Sequence, residues 1–115
     1  MAMRTLRALV PVALFVLAGC SFFARPDDYA SYRATRTAND LDERMRAVRL
    51  YLERHPDGAF ADEVASFYER AEPLYYEARK GTISGLRAYL DALPNGPHAE
   101  EARARLDALI RRESR

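Results

Sequence analysis

One segment of this chain is written twice. Val48 to Val64 reads VRLYLERHPDGAFADEV, and Leu86 to Ala102, 38 residues further on, reads LRAYLDALPNGPHAEEA. Seven aligned positions are identical: Arg49/Arg87, Tyr51/Tyr89, Leu52/Leu90, Pro56/Pro94, Gly58/Gly96, Ala61/Ala99 and Glu63/Glu101. Asp57/Asn95 and Asp62/Glu100 are conservative exchanges. A repeat of this length is one supersecondary unit used twice, each copy burying against its neighbour a face it cannot cover alone. Any fold the chain adopts has to give the two copies equivalent surroundings.

Each repeated residue has a physical task. Tyr and Leu fall near the end of an amphipathic stretch, and the proline stops it. Asp57-Gly58 and Asn95-Gly96 form a turn from residues that tolerate positive φ. Ala61 and Ala99 are small enough to let the next helix pack closely. The acidic pairs Asp62-Glu63 and Glu100-Glu101 then occupy a first helical turn, where the helix dipole favours them. The unit is a helix hairpin whose arms lie side by side and antiparallel.

The remainder of the chain agrees with an all-α reading. Beyond Cys20 there are only two Val and two Ile, while Ala, Leu, Arg and Glu dominate, and no alternating strand pattern occurs. Five helical segments are expected. The first covers Asp28 to Ala38, capped by Asp27, with Tyr29 and Tyr32 on one face. The second covers Asp40 to Arg54, with the stripe Leu41, Met45, Val48 and Leu52 and with Tyr51 beside it. The third starts near Phe60, carries Val64, Phe67, Tyr68 and Ala71, and breaks or kinks at Pro73, leaving Leu74 to Lys80 as a short extra segment. The fourth covers Ile83 to Leu93, capped by Thr82 and burying Leu86, Leu93 and either Tyr89 or Leu90. The fifth covers His98 to Arg112 and buries Ala99, Ala102, Leu106, Leu109 and Ile110.

The apolar content of 49% is concentrated at the front of the chain. Arg4 and Arg7 precede an apolar run from Leu9 to Ala18, broken by Pro11 and too short to span a bilayer. The run ends in Leu17-Ala18-Gly19-Cys20, which resembles the lipobox of bacterial lipoproteins. That resemblance implies removal of residues 1–19 as a signal peptide, a palmitate-type acyl anchor on Cys20, and a short tether over residues 20–27 before a helical domain at 28–115. More than one acyl chain is needed for firm attachment. Ser21, a non-acidic residue after the cysteine, implies the periplasmic face of the outer membrane by the same resemblance. As the only cysteine, Cys20 also excludes a disulfide framework and a Cys-based zinc site.

The repeated Tyr-Leu-x-x-x-Pro-x-Gly-x-x-Ala-x-Glu pattern, over about residues 40–112, resembles the tetratricopeptide-like helical hairpins of bacterial envelope proteins. It lacks a tryptophan and the Leu-Gly pair of the consensus, and its spacing is 38 residues. The resemblance implies a short α-solenoid of two hairpins plus an N-terminal helix.

Other functional classes find little support. The 18 basic and 17 acidic residues exclude a strongly basic nucleic-acid tail and an acidic disordered chain. His55 and His98 occupy different repeat positions and read as cap or packing residues, so no metal or cofactor is expected. No phosphate loop or nucleophile elbow occurs, and no enzyme is expected. Tyr75 and Tyr76 are the candidate interface residues, because adjacent helical positions should leave one ring exposed and tyrosine is favoured at binding hot spots. The expected function is an outer-membrane-anchored adaptor or accessory subunit that binds another envelope protein. The alternatives are a free-standing or self-associating envelope lipoprotein and a periplasmic inhibitor or carrier.

Overall fold

A computed structural model describes residues 25–115, which form five helices: α1 (Pro26–Thr37), α2 (Leu41–Arg54), α3 (Ala61–Arg79), α4 (Ile83–Ala92) and α5 (Ala99–Glu113). The ends follow local chemistry. Asp40 accepts the Glu43 N–H at 2.8 Å and caps α2, and the Thr82 hydroxyl accepts the Gly85 N–H at 2.9 Å and caps α4. The first helix differs from expectation. Pro26 occupies its first turn after an extended Arg25, so Asp27 lies inside the helix and does not cap it.

The expected break at Pro73 does not occur. α3 runs unbroken through it for 19 residues. Pro73 and Glu69 are exposed, so water can take the carbonyl that the proline leaves without a donor. Val64, Glu72, Tyr75 and Tyr76 are meanwhile buried on both sides of the proline and hold the helix to its neighbours.

Helix α2 is central. It packs against α1, α3 and α4, and α4 packs in turn on α3 and α5. Sequential helices are antiparallel, whereas α2 and α4 run parallel, as equivalent arms of successive hairpins should. Two contacts show this register: Arg46 pairs with Asp91, and Arg49 Nε donates to the Ala92 carbonyl at 2.7 Å, satisfying an orphan acceptor at the end of α4. The buried residues form two clusters. Val48, Tyr51, Ala61 and Val64 make one, and Met45, Tyr75, Tyr76, Leu86, Tyr89, Ala92, Leu93, Ala99 and Ala102 make the other. Two positions expected on buried stripes, Leu41 and Ile110, are instead exposed.

The two repeated turns are near copies. His55 and Leu93, which end α2 and α4, have φ/ψ of −131°/60° and −129°/69°. Phe60 and His98, which precede α3 and α5, have −112°/9° and −105°/12°. In each turn the tyrosine hydroxyl, buried beneath the loop, accepts the backbone N–H nine residues ahead: Phe60 to Tyr51 at 3.0 Å and His98 to Tyr89 at 3.1 Å. Each hydroxyl donates to a buried carboxylate of the preceding helix, Tyr51 to Asp28 and Tyr89 to Glu72, both at 2.6 Å. Asp28 also accepts the Ala59 N–H at 2.9 Å, while the His98 ring Nδ1 lies 2.6 Å from Glu72.

This arrangement corrects the reading of the turn glycines. No described residue has positive φ, so Gly58 and Gly96 are not there for backbone freedom. A Cβ on Gly58 would lie 2.5 Å from the Tyr51 hydroxyl, and one on Gly96 would lie 2.7 Å from that of Tyr89. The glycine is the space the tyrosine hydroxyl occupies.

Protonation follows from the same contacts. Burial pushes the Asp28 carboxyl up, but hydrogen bonds from Tyr51 and Ala59 outweigh it and hold the group below its ordinary value. Burial and the adjacent Asp28 raise Tyr51 to about 12.

Two outcomes are expected. Gly96→Ala costs about 1–3 kcal/mol by overpacking, measured by urea unfolding. Combined with Tyr89→Phe, which deletes the clashing oxygen, it costs less than the two single losses added together; strict additivity would contradict the steric account. Because the Asp28 pKa is lower folded than unfolded, its contribution is present above the ordinary carboxylate range and disappears as pH falls through the folded value. Asp28→Asn is therefore destabilising at neutral pH and flattens part of the acid dependence of stability below about pH 4; an acid profile as steep as that of the unchanged chain would contradict it.

Candidate functional site

Sequence pointed to the adjacent tyrosines of α3, and the structure places both inside. Tyr75 is 0% and Tyr76 2% exposed. Successive helical residues lie about 100° apart, which allows both to be inward when a helix is covered on two sides, and α3 contacts both α2 and α4. Tyr75 donates to Asp42 at 2.6 Å, beside the two-pronged Arg79–Asp42 contact at 2.9 and 3.1 Å. Hydrogen bonding from Arg79 holds the Asp42 carboxyl below its ordinary value. The Tyr76 ring stacks on His98 at 4.3 Å. These are core and clamp residues, with no ring face left to offer a partner. The other sequence candidate, Cys20, lies outside the described residues.

The accessible feature is a cleft of about 310 Å³ between α1 and α3, floored by α2. Tyr32, Thr35 and Arg36 line it from α1, Arg44 and Val48 from α2, and Glu63, Val64, Phe67 and Arg70 from α3. Its existence follows from the packing: α1 and α3 both lie on α2 without a close interface of their own. At one wall, Tyr32 stacks on Phe60 with ring centres 4.0 Å apart. The Tyr32 hydroxyl donates to Glu63 at 2.9 Å, and Arg36 joins the same carboxylate oxygen at 3.3 Å. That bridge ties α1 to α3 and neutralises Glu63.

The other two guanidiniums are left over. Among the described residues neither Arg44 nor Arg70 has an ion-pair partner, and the Arg44 Nε is buried without a hydrogen-bond acceptor. An unsatisfied buried donor costs about 1–3 kcal/mol. Arg44 lies one turn from Val48 toward the start of α2, and Arg70 one turn from Phe67 toward the end of α3. Because α2 and α3 are antiparallel, both displacements lead to the same end of the cleft. The result is an apolar floor of Val48, Val64 and Phe67 beside two uncompensated cations.

A second hollow, of about 240 Å³ among Arg49, Leu52, Glu53 and Tyr68, has no such surplus. Arg49 there is satisfied by Glu53 and by the Ala92 carbonyl. No group of three metal-ligating side chains occurs among the described residues, and no described helix is long and apolar enough to cross a membrane. The chain matches no protein-family model, no curated protein and no solved structure.

The cleft arginines were not visible as a site in the sequence. Arg36, Arg44 and Arg70 are three of the 18 basic residues of the chain and sit on amphipathic helices, where solvated positions are the rule. Only the placement of α1 across α2 gathers them.

Proposed function

We propose that this chain is a membrane-anchored, tetratricopeptide-like repeat adaptor that binds another cell-envelope protein in the cleft between α1 and α3. The observation that carries the reading is the cleft itself: an open, apolar-floored cavity with cations that the fold leaves unpaired. A concave site with a few placed polar groups is the default candidate for binding in a small domain. The parallel stacking of α2 and α4 and the duplicated turns support the helical-repeat assignment. The lipobox at Leu17-Ala18-Gly19-Cys20 supports a lipid anchor, and Ser21 supports the outer membrane as its destination.

An anchored adaptor needs no chemistry at its site, only a surface held at the right place. Carboxylates engaged within the fold fit this: the buried Asp28 and Glu72 hold turns together, and the half-buried Asp42 holds Arg79. None of them faces the cleft as a free acid or base.

Two experiments test the reading. Cells fed a clickable fatty acid should label the full chain, and Cys20→Ser should abolish the label; unchanged labelling removes the anchor. A photo-crosslinking amino acid placed at Arg70, in the cleft, should give a discrete adduct with another protein in intact cells, and one at the exposed Arg87 of α4 should not. An adduct confined to position 87 moves the interface away from the cleft. An adduct with a second copy of the chain favours self-association instead.

A further inference from the structure

The cleft also specifies what kind of segment it accepts. Resting on the reading of the cleft as a partner site, we propose that its occupant is an acidic stretch of a partner polypeptide in which an Asp or Glu side chain adjoins a large apolar one. The carboxylate would be held by Arg44 and Arg70, and the apolar side chain would lie against Phe67, above the nearly buried Val48 and Val64.

Three features of the cleft lead there. First, the charge is one-sided: Glu63, the only acid lining it among the described residues, is already held by Arg36 and Tyr32, so the two guanidiniums left over are positive and unmatched. Second, Arg44 lines the cleft, and its Nε is a buried donor with no acceptor. A planar guanidinium satisfies such a donor best with a two-oxygen acid, which takes the Nε and Nη edge together. Third, Phe67 lines the cleft as a half-buried ring, while Val48 and Val64 beside it are almost wholly buried. A large apolar side chain next to the acid would cover that ring, which an inorganic anion would not. The partners already bound explain why the chain itself supplies no acid here: its nearby carboxylates are engaged, Asp42 by Arg79 and Tyr75, and Glu43 with the α2 cap through the Asn39 N–H at 3.3 Å.

The two arginines should act differently. Arg70 is exposed and contributes charge at the rim, so its loss weakens binding mainly at low salt. Arg44 is partly buried and contributes direction, so lysine, which keeps the charge and loses the fork, does not replace it.

The test uses the purified full-length protein and a fluorescein-labelled peptide, Ser-Gly-Asp-Phe-Glu-Leu-Gly-Ser, read by fluorescence anisotropy. Its neutral counterpart carries Asn and Gln for Asp and Glu. The acidic peptide should bind at least about tenfold more tightly than the neutral one. Arg70→Gln and Arg44→Lys should each weaken it about tenfold while leaving the neutral peptide unaffected, and Arg87→Gln should change neither. Thermal melting of each variant separates lost contacts from lost folding. Equal binding of the two peptides, or full binding by Arg70→Gln, overturns the proposal. So does displacement of the acidic peptide by palmitate or by phosphatidylglycerol vesicles but not by excess unlabelled peptide, because the site would then serve a lipid. If the crosslinker at position 70 captures a partner while the acidic peptide fails to bind, the occupant chemistry falls and the adaptor reading stands. If neither result is obtained, both fall.

Discussion

A buried phenol oxygen organises this protein. Tyr51 and Tyr89 each place one hydroxyl under an interhelical turn, where it accepts a backbone N–H and donates to a carboxylate on the preceding helix. One atom thereby fixes three pieces of chain: the helix that carries it, the loop that follows, and the helix before. Removing water from such a site is costly unless every group is paired, and here each hydroxyl has both a donor and an acceptor. The constraint reaches into the sequence as an obligatory glycine, since any side chain at position 58 or 96 would meet the oxygen.

The cleft is a consequence of how that device is used at the front of the chain. Asp28, in the first turn of α1, reaches Tyr51 at the end of α2, which holds α1 along α2. In the second copy the carboxylate comes from Glu72, well inside the long α3, and α3 is packed against both α2 and α4. The pinning point of α1 lies at one end of the helix, and its far half is tied to α3 only through the Arg36–Glu63–Tyr32 bridge. Space remains over α2, and Arg44 and Arg70 border it. The turns and the cleft rim thus rest on different carboxylates, Asp28 and Glu72 for the turns and Glu63 for the rim.

Much of the architecture was legible from periodicity. The five helices, the cap at Thr82 and the duplicated hairpin turn are local features, decided by residues within a turn or two of one another. What escaped the sequence was decided at long range. Pro73 reads as a breaker, yet α3 runs unbroken through it, with buried side chains on both sides. Tyr75 and Tyr76 read as one core and one surface residue because a helix is ordinarily covered on one side; α3 is covered on two. The Tyr-to-Gly spacing was visible as a repeat, but its cause, a hydroxyl filling the place of a side chain, required the third dimension. Asp28 and Glu72 gave no sequence signal as buried acids, since each becomes buried only when a tyrosine 23 or 17 residues away lies over it.

The fold depends on those two hydroxyls holding their loops closed. Amide hydrogen exchange at Phe60 and His98, followed by NMR, tests this most directly. Both N–H groups sit at turns that would ordinarily exchange quickly. If each is locked on its tyrosine, they exchange only with large-scale opening, at rates like those of the buried stretch of α2, and Tyr51→Phe or Tyr89→Phe releases the matching amide alone. Rapid exchange at both positions in the unaltered protein would contradict the account.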